Sequence, residues 1–175
     1  RGRSCSTSAM PHLLKNAPSY KAFASKTLGE LYSLAALNKA KRLEAKTLSS
    51  MLFRNDGTGK FQAEVLPGFS QVSPVMAVGI GDFNRDGLTD LALGQNFNGA
   101  QRETGRMNAG LSLILIGTKE GAFDEVWPAQ SGFHQREEVR QLLVDDFNGD
   151  GLDDLMTVNN SAKPGLFLAS QADNR

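Results

Sequence analysis

Apolar positions along this chain follow two different periods. Between Tyr20 and Arg42, Phe23, Leu28, Leu31, Tyr32 and Ala35 recur at three- and four-residue spacing, and Thr27-x-x-Glu30 has the form of a capping box. One or two short helices are expected there, with Ser33 able to cap the second, although Gly29 and Asn38 dilute the pattern. The stretch Arg1 to Ser19 is Ser, Pro, Gly and Lys without period and reads as a loop. After Arg42 the period drops to two: Leu43, Ala45 and Thr47 alternate with Glu44 and Lys46, as on a strand with one buried face.

From there on the expectation is β. Met51-Leu52-Phe53 and Lys60 to Val65 flank the turn signal Asn55-Asp56-Gly57-Thr58-Gly59 and predict a hairpin. Strands are predicted at Val75 to Gly81, Leu91 to Leu93, Leu111 to Ile116, Ala122 to Trp127, Val139 to Val144, Leu155 to Val158 and Gly165 to Leu168. Correspondences recur at 60 to 64 residues: Gly59-x-Phe61 with Gly121-x-Phe123, Leu66-Pro67 with Trp127-Pro128, and residues 82–91 with 146–155. Four short strands per period is the pattern of stacked β units, most simply propeller blades.

The expected architecture is therefore all-β: a partial β-propeller of about two and a half four-stranded blades behind a short helical segment. The boundaries read as 1–42 for the N-terminal loop and helices, then 43–74, 75–138 and 139–175 for a partial, a full and a partial blade. Closing a ring takes about four blades or more. The chain starts at Arg1, and Arg1 to Ser8 lacks the apolar core of an export signal. A fragment is expected, with further blades and any signal upstream.

Composition narrows the function classes. Nineteen basic residues balance nineteen acidic ones, so no net field draws the chain to nucleic acid. The longest apolar run, Leu111 to Ile116, falls far short of the roughly 18 residues of a membrane span. Cys5 is the single cysteine, which excludes an internal disulfide and a Cys-rich zinc site. His12 and His134 stand far apart and no Gly-x-Ser-x-Gly occurs, which argues against a Ser/His/Asp hydrolase, and no catalytic residue is assigned. Gly79-x-Gly81-x-x-Asn84 fails the dinucleotide pattern at its third glycine.

The chemistry concentrates in two acidic stretches. Asp82, Asn84, Asp86 and Asp90 place three carboxylates and an amide oxygen at alternate positions, with the Leu88 carbonyl between. Asp146, Asn148, Asp150, Asp154 and the Leu152 carbonyl repeat the set. A hard cation such as calcium takes about six to eight oxygens, and alternate side chains on a tight loop can face one centre. Gly87 and Gly151 sit where the chain must turn sharply. An EF-hand is excluded, because position twelve is Leu93 or Thr157 and the flanks are β-like. Two Ca2+ sites are expected, structural in role, with Mg2+ the less suitable ion. The competing reading is a pair of ordinary Asp/Asn/Gly-rich turns.

Lesser candidates are the loop Gln101, Arg102, Glu103 and Arg106 as a binding loop, Trp127 as a sugar-stacking or packing aromatic, and the Asn159-Asn160-Ser161 sequon. Lys39, Lys41, Arg42 and Lys46 read as a solvated helix face.

Asp82 to Leu91 and Asp146 to Leu155 resemble the loops of FG-GAP or VCBS-type repeats, Asp-x-Asp/Asn-x-Asp-Gly-x-x-Asp-Leu, and Leu52 to Phe61 resembles their outer hairpin. Over roughly Leu43 to Ser170 the chain is similar to the C-terminal part of bacterial ASPIC/UnbV (cartilage-acidic-protein-like) repeat proteins. The resemblance implies an exported protein, extracellular, cell-surface or periplasmic. It also implies a calcium-stabilised propeller used in adhesion or protein interaction and not in catalysis, with a protein or glycan as partner. A carbohydrate-binding or accessory module of a larger secreted enzyme is the alternative. Ala92-Leu93-Gly94-Gln95-Asn96 replaces the Gly-Ala-Pro of integrin-type repeats and no Arg-Gly-Asp occurs, so integrin-like recognition does not carry over.

Overall fold

The computed structural model describes residues 2–102 and 104–170. The chain divides into two units, Arg1–Thr47 and Leu48–Arg175. The first is helical: α1 Arg3–Ala9, α2 Leu13–Asn16, α3 Tyr20–Ala24, α4 Leu28–Tyr32 and α5 Leu34–Lys39. The expected loop before Ser19 is thus two helices. They form without amphipathic period because single residues pin them. The Arg3 guanidinium donates to the carbonyls of Ala17 and Pro18 at 2.9 Å, while Leu13, Ala17 and Leu31 are buried.

The Thr27/Glu30 capping box forms, with the Thr27 N–H donating to Glu30 at 2.7 Å. Ser33, at φ 64°, breaks α4 from α5 and accepts the Ala36 N–H on its hydroxyl. The alternation at Leu43 to Thr47 makes no strand, and Leu43 is 80% exposed. Period two becomes a strand only where a neighbouring ladder receives it, and residues 43–47 form no strand. Lys41, Arg42 and Lys46 lie in this irregular segment, so they are not the helix face expected of them; only Lys39 is helical.

The second unit is nearly all β, as the alternation predicted. Its strands are β1 Met51–Asn55, β2 Phe61–Val65, β3 Val75–Gly81, β4 Asp90–Gln95, β5 Leu113–Gly117, β6 Phe123–Val126, β7 Glu138–Asp145, β8 Asp154–Asn160 and β9 Gly165–Phe167. They form three separate antiparallel sheets among the described residues, ordered β1-β2, β3-β4-β5-β6 and β7-β8-β9. A 3-10 turn, Gly68–Gln71, follows β2, and α6 Pro128–Ser131 follows β6. No helix among the described residues is long and apolar enough to cross a membrane.

Alternating side chains give the central sheet two apolar faces. Leu91, Leu93, Leu113 and Leu115 form one, closed by Leu66, Val75 and Phe123. Ala92 and Ile114 form the other, which packs on Val139, Leu142 and Leu155 of the β7-β8-β9 sheet and on Phe133. Burial of each such leucine contributes about 2 kcal/mol. The two sheets touch backbone to side chain. A Cβ on Gly94 would stand 2.5 Å from Val139 Cγ1, and one on Gly79 would stand 2.9 Å from Val144 Cγ2. This close stacking brings the β3–β4 and β7–β8 connections side by side.

Candidate metal centre

Each acidic stretch connects a strand pair of identical register. Gly81↔Asp90 and Ile80↔Leu91 close the first connection; Asp145↔Asp154 and Val144↔Leu155 close the second. Inside the first, the Asn84 side chain accepts the Asp86 N–H at 3.0 Å and Asp86 accepts the Leu88 N–H at 2.8 Å, two successive Asx turns. Asp82 accepts the N–H groups of Asp86 at 3.1 Å and Gly87 at 2.9 Å, on its two oxygens. The second loop repeats the set: Asp150 N–H to Asn148 at 2.9 Å, Leu152 N–H to Asp150 at 2.8 Å, and Asp150 and Gly151 N–H to Asp146 at 3.1 and 2.7 Å.

The turn residues satisfy the geometry unequally. Gly87 and Gly151 take φ of 80° and 78°, in the left-handed region. At the fourth loop position the second copy has Gly149 at φ 80°, whereas the first has Arg85 at φ 62°. Arg85 is held there by its guanidinium, which donates to the Gly151 carbonyl of the other loop at 2.6 Å.

Asp90 and Asp154 are fully buried and have a task the sequence did not disclose. Asp90 accepts the Phe83 N–H of its own loop at 2.8 Å and the Gly117 N–H at the end of β5, also at 2.8 Å. Asp154 accepts from Phe147 at 3.0 Å and from Ala169 at 2.7 Å. Each thus ties its loop to the next part of its sheet. Asp82, Asn84, Asp86, Asn148 and Asp150 are the outer members of the set, exposed or half-buried.

The loop carboxylates are not ion-paired, although Arg85 lies within the first loop and its guanidinium reaches the second. Among the described residues no Lys, Arg or His forms an ion pair with Asp82, Asp86, Asp90, Asp146, Asp150 or Asp154. Backbone dipoles do the stabilising. The Gly151 N–H holds the Asp146 carboxyl below its usual range, helped by the Gly149 and Asp150 amides and opposed by partial desolvation. The donor chemistry suits a hard cation: oxygen atoms only, three carboxylates and an amide per loop, most of these oxygens keeping a second lone-pair site beside the bond they accept, with Asp146 Oδ1, which takes both the Gly149 and Asp150 N–H groups, the exception. The side chains do not converge as they stand; among the described residues no three His, Cys, Asp or Glu side chains gather into one metal-holding group. The Leu88 and Leu152 carbonyls belong to the same wraps.

The lesser candidates are placed as follows. The 95–110 loop is closed by the Phe97–Met107 bridge and by Asn96, which bonds Gly110 through both ends of its amide and the Arg136 carbonyl at 2.9 Å. Arg102 and Arg106 are exposed on it, and Glu103 lies outside the described residues. Trp127 is half-exposed, its ring 4.2 Å from that of Phe69, beside a small apolar hollow lined by Leu111 and Pro128. The Asn159 amide donates to the Lys163 carbonyl at 2.7 Å and to Thr157, so the sequon side chain is engaged in the β8–β9 turn. Gly79 is a sheet-packing glycine.

Two residues had no sequence signal. Asp153, a non-ligand position of the second loop, accepts the Asp82 N–H at 3.0 Å. Glu138 is buried at the start of β7, where it accepts the Asn98 N–H at 3.0 Å and pairs with Arg140. No protein-family model, no curated protein and no solved structure matches this chain.

Proposed function

We propose that the two acidic loops each hold one hard divalent cation, calcium before magnesium, in a non-catalytic, exported interaction module built on propeller-type blades of the FG-GAP/VCBS kind. The observation that carries the reading is charge without ion pairing: two loops of matching hydrogen-bond pattern, each with three carboxylates and no cationic side chain paired to them. Like charges at this spacing repel, and a bound cation removes the cost. Asp82, Asn84, Asp86, Asp90 and the Leu88 carbonyl would hold one ion. Asp146, Asn148, Asp150, Asp154 and the Leu152 carbonyl would hold the other. The ion supplies positive charge and cross-links oxygens; it brings no reaction.

The role is bracing. Because Asp90 and Asp154 tie each loop to the outer part of its sheet, stiffening a loop stiffens the strands beside it. Titration calorimetry with calcium on the chelator-treated protein is the test. About two sites are expected, falling to about one in Asp86→Ala and in Asp150→Ala, with a calcium-dependent rise in melting temperature. No heat and no thermal shift in the wild type would sink the reading.

A second reading, carbohydrate recognition, is favoured by the half-exposed Trp127 ring beside Phe69. Glycan-array binding that disappears in Trp127→Ala supports it, and an array blank in the presence of calcium removes it.

A further inference from the structure

Two Asn-Gly pairs occur in the sequence, Asn98-Gly99 and Asn148-Gly149, and the fold treats them in opposite ways. Asparagine before glycine is open to intramolecular loss of its side-chain amide, because a following residue without a Cβ lets the next backbone nitrogen swing onto the side-chain carbonyl carbon. What decides the reaction in a folded chain is how firmly the side-chain amide and the next N–H are held.

Asn148 is locked. Its amide oxygen accepts the Asp150 N–H at 2.9 Å, its NH2 group donates to Asp150 at 3.0 Å, and the Gly149 N–H donates to Asp146 at 2.7 Å. Bringing the Gly149 nitrogen onto the Asn148 side chain breaks these bonds, each worth about 1 kcal/mol net.

Asn98 is the reverse case. It lies with Gly99 on the connection from β4 to β5, and both residues are exposed. Its own backbone N–H is fixed on Glu138 at 3.0 Å, and the Phe97–Met107 bridge fixes the residue before it. Among the described residues, the Asn98 side chain and the Gly99 N–H have no hydrogen-bond partner. The chain is thus anchored up to the reacting atoms, and those atoms are free.

We propose that Asn98 is a deamidation site of the folded protein and that Asn148 is not. The Gly99 nitrogen, its proton passed to hydroxide from solvent, attacks Asn98 Cγ. The new C–N bond closes a five-membered succinimide, while the side-chain nitrogen takes a proton from water and leaves as ammonia. Water then opens the ring at one of its two carbonyls and leaves aspartate or isoaspartate at position 98. Either product adds a negative charge to the residue that the Glu138 carboxylate holds. Isoaspartate also adds one backbone carbon next to the Phe97–Met107 bridge, which loosens the loop.

The test incubates the full chain in mildly alkaline buffer and follows both sites by tandem mass spectrometry. A chelator is present throughout, so no bound cation accounts for protection of Asn148. Asn98 is expected to gain about one mass unit, as two isomers of equal mass separable by chromatography. It should do so at least about tenfold faster than Asn148. In guanidinium chloride the two rates should come within about threefold, since the fold no longer holds Asn148. Asn98→Gln should abolish the early mass gain, and Gly99→Ala should slow it. An Asn98 that stays unchanged, an Asn148 that reacts as fast in the native protein, or a difference that survives in denaturant each overturns the proposal.

Discussion

The Asp153 carboxylate accepts the backbone N–H of Asp82 at 3.0 Å, which joins the second acidic loop to the first residue of the other. The approach is tight, since a Cβ on Gly81 would come 2.7 Å from the same oxygen. Arg85 returns the connection through the Gly151 carbonyl. Asp153→Ala leaves an amide without its acceptor and is expected to cost about 1 to 3 kcal/mol in urea unfolding. Asp124→Ala, exposed on β6, is the control, with a cost under about 0.5 kcal/mol.

Gly94→Ala is expected to destabilise by about 1 to 3 kcal/mol, because its methyl collides with Val139 on the facing sheet. Val139→Ala removes the nearer contact, Cγ1 at 2.5 Å, and leaves its Cβ at 2.8 Å, so it relieves the collision in part. The double variant should therefore be more stable than the sum of the two single changes, and a double-mutant cycle measures the coupling.

The fourth loop position separates conformational strain from bonding. Gly149→Ala forces a side chain into φ 80° and is expected to cost about 1 to 2 kcal/mol. Arg85→Gly relieves a similar strain while losing the Gly151 bond, and a change within about 1 kcal/mol of zero is expected. Equilibrium urea melts of both variants check this. A large loss in Arg85→Gly alone would show that the bond outweighs the strain.

The Asn98 N–H, with the Asn160 side chain and Arg140, holds the Glu138 carboxyl below its usual range against the opposing effect of burial. A carboxylate lowered on folding stabilises the native state fully above its unfolded pKa, near 4.3. That contribution is lost as pH falls through the lower folded value. Melting temperature should therefore drop more steeply below about pH 4 in wild type than in Glu138→Gln. The variant should also speed amide exchange at Asn98, whose acceptor is replaced by a neutral one.

What could be read ahead of the fold follows a physical division. Val75 to Gly81 was legible to the residue, because it is an unbroken apolar run between Pro74 and the acidic turn, even though Val78 and Ile80 stay exposed on this edge strand. The Asx-turn skeleton of both loops was equally visible in the spacing of Asp, Asn and Gly. The first helices were not visible, since α1 and α2 are only seven and four residues long and are anchored by Arg3. Leu43 to Thr47 shows the reverse failure, a clean alternation that forms no strand. The tasks of Asp153 and Glu138 depend on contacts 71 and 40 residues away, which no local pattern encodes.

Asp90 sits between Phe83 and Gly117, seven residues to one side and 27 to the other. Its two bonds cannot both exist until β5 has arrived beside β4, so the acidic loop is finished by an event outside itself. The same holds for Asp154, which waits for Ala169. Folding of each loop is in this way made a late, non-local step. A chain stalled before β5 and Ala169 arrive would carry its acidic turns unfastened, each short of the second bond of its buried aspartate.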